Sequence, residues 1–402
     1  MAFSRLNLRS TFTYPSTFHT RLVKAIWAAP LMFATCAAQA QAVAAIPESV
    51  KVVDSQVAKQ GYFYVGGRYV GAPGKEVMVG QMYVEVWAPA KVLHPYPMVL
   101  FHGAGSTATT WMQTPDGRPG WAHYFVNQGY IVYMVDQPAR GRSGYNAQYL
   151  GKQIVTTAPA TQRNTTATST QGNWPQAKLS TQFPGSGADR GTMGNPVFDA
   201  GYARSVAYLE SNEETQKLIQ YAGTALLDKI GPAVLLTHSQ AGPFGWILAD
   251  TRPRLVKGIV AIEPSGPPFM NATRSVEPAR PWGPTDIPIT YAPPIHSPQE
   301  LKYEVQSVAD GKDLERCALQ TGTPHTLPNL KGIPITIITA PASYHAPYDH
   351  CTSKYLTQAG VPNEHILLAD KNILGNGHVM PSELNNLEVA RVITDWLKAN
   401  IK

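Results

Sequence analysis

Ala233-Val234-Leu235-Leu236-Thr237-His238-Ser239-Gln240-Ala241-Gly242 is an apolar run that ends in a serine between small neighbours and passes into a helix-compatible segment, Pro243 to Asp250. Four consecutive apolar residues, three of them branched, read as a short buried strand. A serine at the end of such a strand is what a nucleophile elbow requires. The strained strand-to-helix turn lifts the hydroxyl above the sheet, and the residues two places before and after it must be small. Thr237 and Ala241 fill those places, with Gly242 one position late. Ser239 is the candidate nucleophile; the other reading is a buried strand that ends in serine by accident.

The flanking sequence has the same character. Tyr96 to Phe101, Tyr130 to Val135, Val256 to Ile262, Ile333 to Thr339 and Glu364 to Leu368 are apolar runs of the kind shown by strands covered on both faces. Between them, Trp121 to Asn127, Phe198 to Leu209, Glu214 to Ile230 and Ser382 to Ile401 carry helical patterns. Upstream, Tyr62 to Val70 and Gln81 to Ala88 alternate apolar and polar residues around Gly71-Ala72-Pro73-Gly74, which predicts an antiparallel pair at a sheet edge. Alternating strands and helices predict an α/β class with a mostly parallel sheet of about eight strands, covered on both faces. Two Pro-, Gly-, Ser- and Thr-rich insertions, at about 148–197 and 265–332, lack periodicity and are expected to form a lid or cap.

Composition sets the compartment and excludes several classes. With 44% hydrophobic and 15% charged residues the chain can bury a large core. Its net charge of +6 does not indicate nucleic-acid binding, because Arg5, Arg9, Arg21 and Lys24 of an acid-free opening account for four of those charges. That opening, the apolar run Ala25 to Ala38 and the small residues Ala38-Gln39-Ala40-Gln41-Ala42 read as a signal peptide over residues 1–42, with a secreted or periplasmic destination. The run is shorter than the roughly 20 residues of a spanning helix, so no membrane span is expected in the mature chain. Removal of Cys36 leaves Cys317 and Cys351 as an even pair, expected to bond in an oxidising compartment; two separate buried thiols are the alternative.

Around Ser239 the remaining chemistry is assigned by position. His102-Gly103-Ala104-Gly105 follows a strand directly, where a backbone amide can approach a developing negative charge without an intervening side chain. The oxyanion donors are therefore expected to be the amides of Ala104 and Gln240. His378, between small residues after the last strand and before the last helix, is the expected base. Glu263 ends the strand after the elbow and is preferred as the acid over Asp349, which lies beyond the loop after the next strand. Ser143 is rejected as nucleophile, since Tyr145 fills its second small position and no helix follows. Arg140 and Arg142 are read as structural. Trp111 and His102 are candidate pocket residues, with a plain core role for Trp111 equally open. No cluster has metal-ligand spacing, so neither metal nor cofactor is expected.

Phe101-His102-Gly103, the block Trp111-Met112-Gln113-Thr114-Pro115-Asp116-Gly117-Arg118-Pro119-Gly120-Trp121, and Val135-Asp136-Gln137-Pro138-Ala139-Arg140-Gly141-Arg142-Ser143 together resemble a small group of bacterial secreted esterases, the Alcaligenes esterase 713 group. His238-Ser239-Gln240, Glu263-Pro264 and Gly377-His378 resemble the same group, over residues 60–275 and 330–400. The resemblance implies an α/β-hydrolase fold and a Ser239, Glu263, His378 triad, with oxyanion donors at Ala104 and Gln240. One departure is that Ala104-Gly105 stands where the group has adjacent cysteines, so the oxyanion loop lacks that disulfide and substrate preference does not transfer. The expected function is a secreted serine hydrolase that cleaves a small-molecule carboxylic ester through an acyl-enzyme. A lactonase, an amidase or a C-C bond hydrolase would use the same triad, and an inactive binding module is the alternative from another class. A homodimer is one candidate assembly.

Overall fold

In the computed structural model, residues 51–54 and 56–402 are described, and they belong to one compact unit; residues 1–42, expected from the sequence to be a signal peptide, lie outside the described residues. Eight strands form the main sheet: β1 (Val57–Val70), β2 (Val77–Pro89), β3 (Met98–Phe101), β4 (Val132–Asp136), β5 (Ala233–His238), β6 (Val256–Ile262), β7 (Ile335–Thr339) and β8 (Glu364–Leu367). Their order is β1-β2-β4-β3-β5-β6-β7-β8. The β1/β2 and β2/β4 pairs are antiparallel and the others parallel. Thus the hairpin read from alternation forms one edge, and the continuous apolar runs form the interior.

Helices cover both faces: α1 (Trp121–Asn127), α3 (Asn212–Ile230), α4 (Gly242–Thr251), α5 (Asp349–Gln358) and α6 (Asn386–Asn400), while α2 (Pro196–Ala203) follows the first insertion away from the sheet. Successive strand residues point to opposite faces, and this divides the core in two. Val99, Phe101, Leu235 and Ile259 pack with Ile219 and Leu226 of α3 and Phe244 of α4. Met98, Leu100, Val234, Leu236 and Val260 pack with Phe125 of α1 and Val389 and Ile393 of α6. Every residue of β5 is buried, as expected for a strand with helices above and below.

Helical structure after residue 196 is shorter than its pattern predicts. α2 stops at Ala203, and Tyr208 and Leu209 pair with Ile154 and Gln153. Residues 148–197 fold into short turns, Ala158–Thr161, Gln162–Thr166, Thr168–Gln171 and Pro175–Leu179. Threonine hydroxyls bonded to backbone carbonyls help hold them, such as Thr165 Oγ1 to Thr161 at 2.7 Å and Thr166 Oγ1 to Gly191 at 2.6 Å. That explains the missing periodicity: these turns are pinned by polar side chains more than by an amphipathic face. Residues 265–332 carry one small antiparallel ribbon, Tyr303–Val305 with Ala318–Gln320. A Cys317–Cys351 disulfide fastens this segment to α5. No helix among the described residues is long and apolar enough to cross a membrane.

Candidate active site

Ser239 follows β5 directly and begins the turn into α4, with a φ of +60°. Few non-glycine residues adopt this left-handed backbone, and such strain persists only where the surroundings enforce it. Here the Ser265 N–H donates to the Ser239 carbonyl at 2.9 Å, tying the elbow to the segment after β6. The late glycine now has a cause. A Cβ on Gly242 would lie 2.3 Å from Pro264 Cβ, so α4 can pack on the residue after Glu263 only if position 242 is glycine. Gly103 is similarly constrained, since its Cβ would fall 2.9 Å from Ser239 Cβ.

Glu263 directly follows β6 with a φ of +44° and is wholly buried. Its Oε1 accepts the Ala340 N–H at 2.9 Å, and its Oε2 accepts the Ser343 hydroxyl at 2.7 Å and lies 2.5 Å from His378 Nδ1. Burial and the Asp349 carboxylate push its pKa up, while the Ala340 and Ser343 donors pull it down. Three donors aimed at two oxygens are all satisfied by the ionised form.

His378 Nε2 lies 2.8 Å from Ser239 Oγ and 3.1 Å from the Tyr344 hydroxyl. Burial, then the neighbouring His345, His238 and Arg274, hold its pKa well below the usual imidazole value, which favours the neutral, proton-accepting ring. His238 Nε2 donates to the His378 carbonyl at 2.9 Å, and burial lowers its pKa to about 4. Beneath the loop, the Gly377 N–H donates to Glu383 Oε1 at 2.8 Å and Asn376 Nδ2 to Glu383 Oε2 at 2.7 Å. Glu383 was not singled out from sequence, where an acid five residues past a histidine carries no signal.

The two amides assigned to the oxyanion flank the serine. Ala104 is exposed on the cavity wall, and its N–H has no protein acceptor among the described residues. Gln240 stands in the first turn after the elbow, where amides have no partner within the helix. Arg140 joins the two loops: Nη1 donates to the Gly103 carbonyl at 3.3 Å and Nη2 to Gln240 Oε1 at 3.0 Å. Arg142 pairs with Asp136 at 2.8 Å and Glu85 at 2.6 Å. Ser143 donates to the Asp136 carbonyl and accepts the Tyr83 N–H, well occupied outside the site.

Two pocket assignments are corrected. Trp111 is fully buried and stacks on Trp121 at 5.7 Å, because the short helix Thr109–Met112 turns it into the core. His102 is also fully buried: Nδ1 donates to the Gly103 carbonyl at 2.9 Å and Nε2 accepts the Gln137 N–H at 3.3 Å. Neither lines the cavity in front of Ser239, which has a volume of about 780 Å³ and is walled by both insertions. Asp349, the alternative acid, contacts His345 and Thr339.

Two groups of potential metal ligands occur among the described residues. In one, Cys317 and Cys351 are bonded to each other and offer no thiolate. In the other, Glu263 and His378 are engaged in their mutual hydrogen bond.

The alpha/beta hydrolase family model matches residues 98–392. A relative named probable secreted lipase phiG, from Fungal sp. (strain ATCC 74256), is 44% identical over 339 residues, covering 84% of this chain and 89% of its own. The atomic-resolution structure of a novel bacterial esterase superposes with a TM-score of 0.58 at 23% identity, covering 88% of this chain and 99% of that one. At that identity the structural likeness establishes the fold alone.

Proposed function

The chain belongs to the α/β-hydrolase family, and from that premise we propose that it hydrolyses a carboxylic ester through an acyl-enzyme on Ser239. The observation that carries this reading is the unbroken hydrogen-bonded line from Glu263 through His378 to Ser239, at 2.5 and 2.8 Å. Ser239 Oγ attacks the ester carbonyl carbon and gives its proton to His378 Nε2. The Ala104 and Gln240 amides receive the negative charge that forms on the carbonyl oxygen. His378 returns the proton to the departing alkoxide, and a water then repeats the sequence to release the acid. Glu263 keeps the Nδ1–H tautomer in place and stabilises the imidazolium without taking its proton.

The name of the relative, a lipase, supports ester chemistry. The motifs of residues 101–121 and 135–143 support membership of the narrower esterase 713 group. Export fits the word secreted in the relative's name and the composition of residues 1–42. Segments 148–197 and 265–332 act as the cap that encloses the substrate.

A fluorophosphonate probe tests the reading directly. Labelling of folded protein at Ser239, lost in His378→Ala, is the expected outcome. Folded protein that remains unlabelled would exclude a serine hydrolase.

A further inference from the structure

Arg163, Arg204, Arg274 and Arg280 all line the cavity in front of Ser239, against a single carboxylate, Glu210. Glu210 is itself paired with Lys152 at 3.2 Å. The cavity is therefore positively charged, which a hydrocarbon chain does not call for.

Two of the four cations are committed to the frame. Arg204 donates to the Gln113 carbonyl at 3.0 Å and to Ser382 Oγ at 2.5 Å. Arg280 donates to the Pro267 carbonyl at 2.8 Å, to the Met270 carbonyl and to Asn271 Oδ1 at 3.0 Å. Arg163 and Arg274 differ. Both side chains are exposed to the cavity, and neither has an ion-pair or hydrogen-bond partner among the described residues. Arg163 comes from the first insertion and Arg274 from the second.

Arg274 is also close to the reacting groups. Its guanidinium sits 4.0 Å above the Tyr344 ring, and that ring is 4.7 Å from the His378 imidazole. One aromatic side chain, on whose face the guanidinium stacks, thus separates a cation without a carboxylate partner from the base. Covering an unpaired guanidinium with an apolar acyl chain would remove its water and give nothing back. A planar carboxylate would satisfy the same fork with paired, charge-assisted hydrogen bonds. About 780 Å³ leaves room for a second functional group beside the ester.

We propose that the cavity selects an ester bearing a carboxylate on its acyl or alcohol half, bound by Arg274 and Arg163 while the ester carbonyl faces Ser239. This rests on the hydrolase reading above. The carboxylate is bound and left unchanged; only the ester bond is cleaved.

The test uses two substrates that differ only at the distal carboxyl, the mono-p-nitrophenyl ester of glutaric acid and its methyl ester at that carboxyl, which removes the charge and adds one methyl group. In the wild type, kcat/KM for the acid should exceed that for the methyl ester by about tenfold or more, the value of a charge-assisted contact. Arg274→Gln should lower that ratio, Arg274→Lys should recover part of it, and Arg163→Gln with Arg274→Gln should bring it near unity. A merely structural arginine would slow both substrates alike. Calorimetric binding of the same two esters to Ser239→Ala separates the two readings. Binding of the acid that Arg274→Gln abolishes, without turnover by the wild type, would support the anion site and remove the hydrolase reading. Turnover of both esters with equal kcat/KM would overturn the anion site and leave the hydrolase reading standing.

Discussion

The Asp349 carboxylate lies 2.9 Å from His345 Nδ1, and its second oxygen accepts the Thr339 hydroxyl at 2.7 Å. His345 and His378 stack 4.7 Å apart and 3° from parallel, so two acid–histidine pairs lie side by side, and only Glu263 reaches His378. Glu263→Gln should therefore lower kcat by about 10³- to 10⁴-fold, the scale of an orienting carboxylate's loss. Asp349→Asn should lower thermal stability while costing less than about tenfold in turnover. Rates on p-nitrophenyl esters, read beside melting temperatures, decide the matter; a reversed ranking would make Asp349 the functional acid.

Arg140 holds the loop of Ala104 to the elbow through the Gly103 carbonyl and Gln240 Oε1, and Gln240 Nε2 in turn donates to Asn212 Oδ1 at 3.1 Å. Burial pushes its pKa down to about 9, with Tyr208 and Asp136 opposing. Arg140→Met removes the bridge without leaving a buried charge. We expect kcat to fall by about 10- to 100-fold with KM little changed, since two amides lose their fixed spacing. Arg140→Lys should restore part of the rate. Titrating active sites with the fluorophosphonate distinguishes this from misfolding: a reduced fraction of labelled sites, each turning over normally, would reject the positioning role.

Cys317 and Cys351 close a loop of 34 residues between the second insertion and α5. Loop-closure entropy for that length corresponds to about 4 kcal/mol, an upper figure when the unfolded chain retains structure. Cys317→Ser with Cys351→Ser should lower the denaturation midpoint accordingly, and reduction of the wild type should do the same. Because the bond lies outside the site, kcat of protein that stays folded should change little. An unchanged midpoint under reducing conditions would contradict this.

What the sequence made legible follows from how local each constraint is. Ser239, Glu263 and His378 each stand where a strand or its loop ends, and small residues lie two places either side of Ser239 and just before His378, so residue type and position made them candidates. β5 and β7 were readable because burial on both faces leaves no alternation of exposed and buried positions, so apolar residues run on consecutively apart from a few buried threonines and His238. Arg140 was read only as structural, because its partner Gln240 stands 100 residues away. Trp111 and His102 lie next to motif residues in sequence, yet one turns into the core and the other is capped by Gln137. The threonine-rich turns of 148–197 escaped because hydroxyl-to-carbonyl bonds leave no period.

Glu383 gives a prediction about stability and pH. Both of its oxygens accept hydrogen bonds beneath the His378 loop, yet complete burial raises its pKa to about 8, with the Gly377 and Asn376 donors opposing. In the unfolded chain the same carboxyl titrates near the ordinary value of about 4.3. Between those values the folded protein retains a proton that the unfolded chain has released, so rising pH favours unfolding. The contribution is fully present below the unfolded pKa and is lost as pH rises to about 8, with a slope of at most about 1.4 kcal/mol per pH unit. Glu383→Gln resembles the protonated acid and carries no such slope. The melting temperature of the variant minus that of the wild type should thus increase steadily from pH 4.5 to 8, whatever other groups titrate in both proteins. A difference that stays flat, or shrinks as pH rises, would mean that Glu383 is already ionised in the fold and that its two donors outweigh its burial.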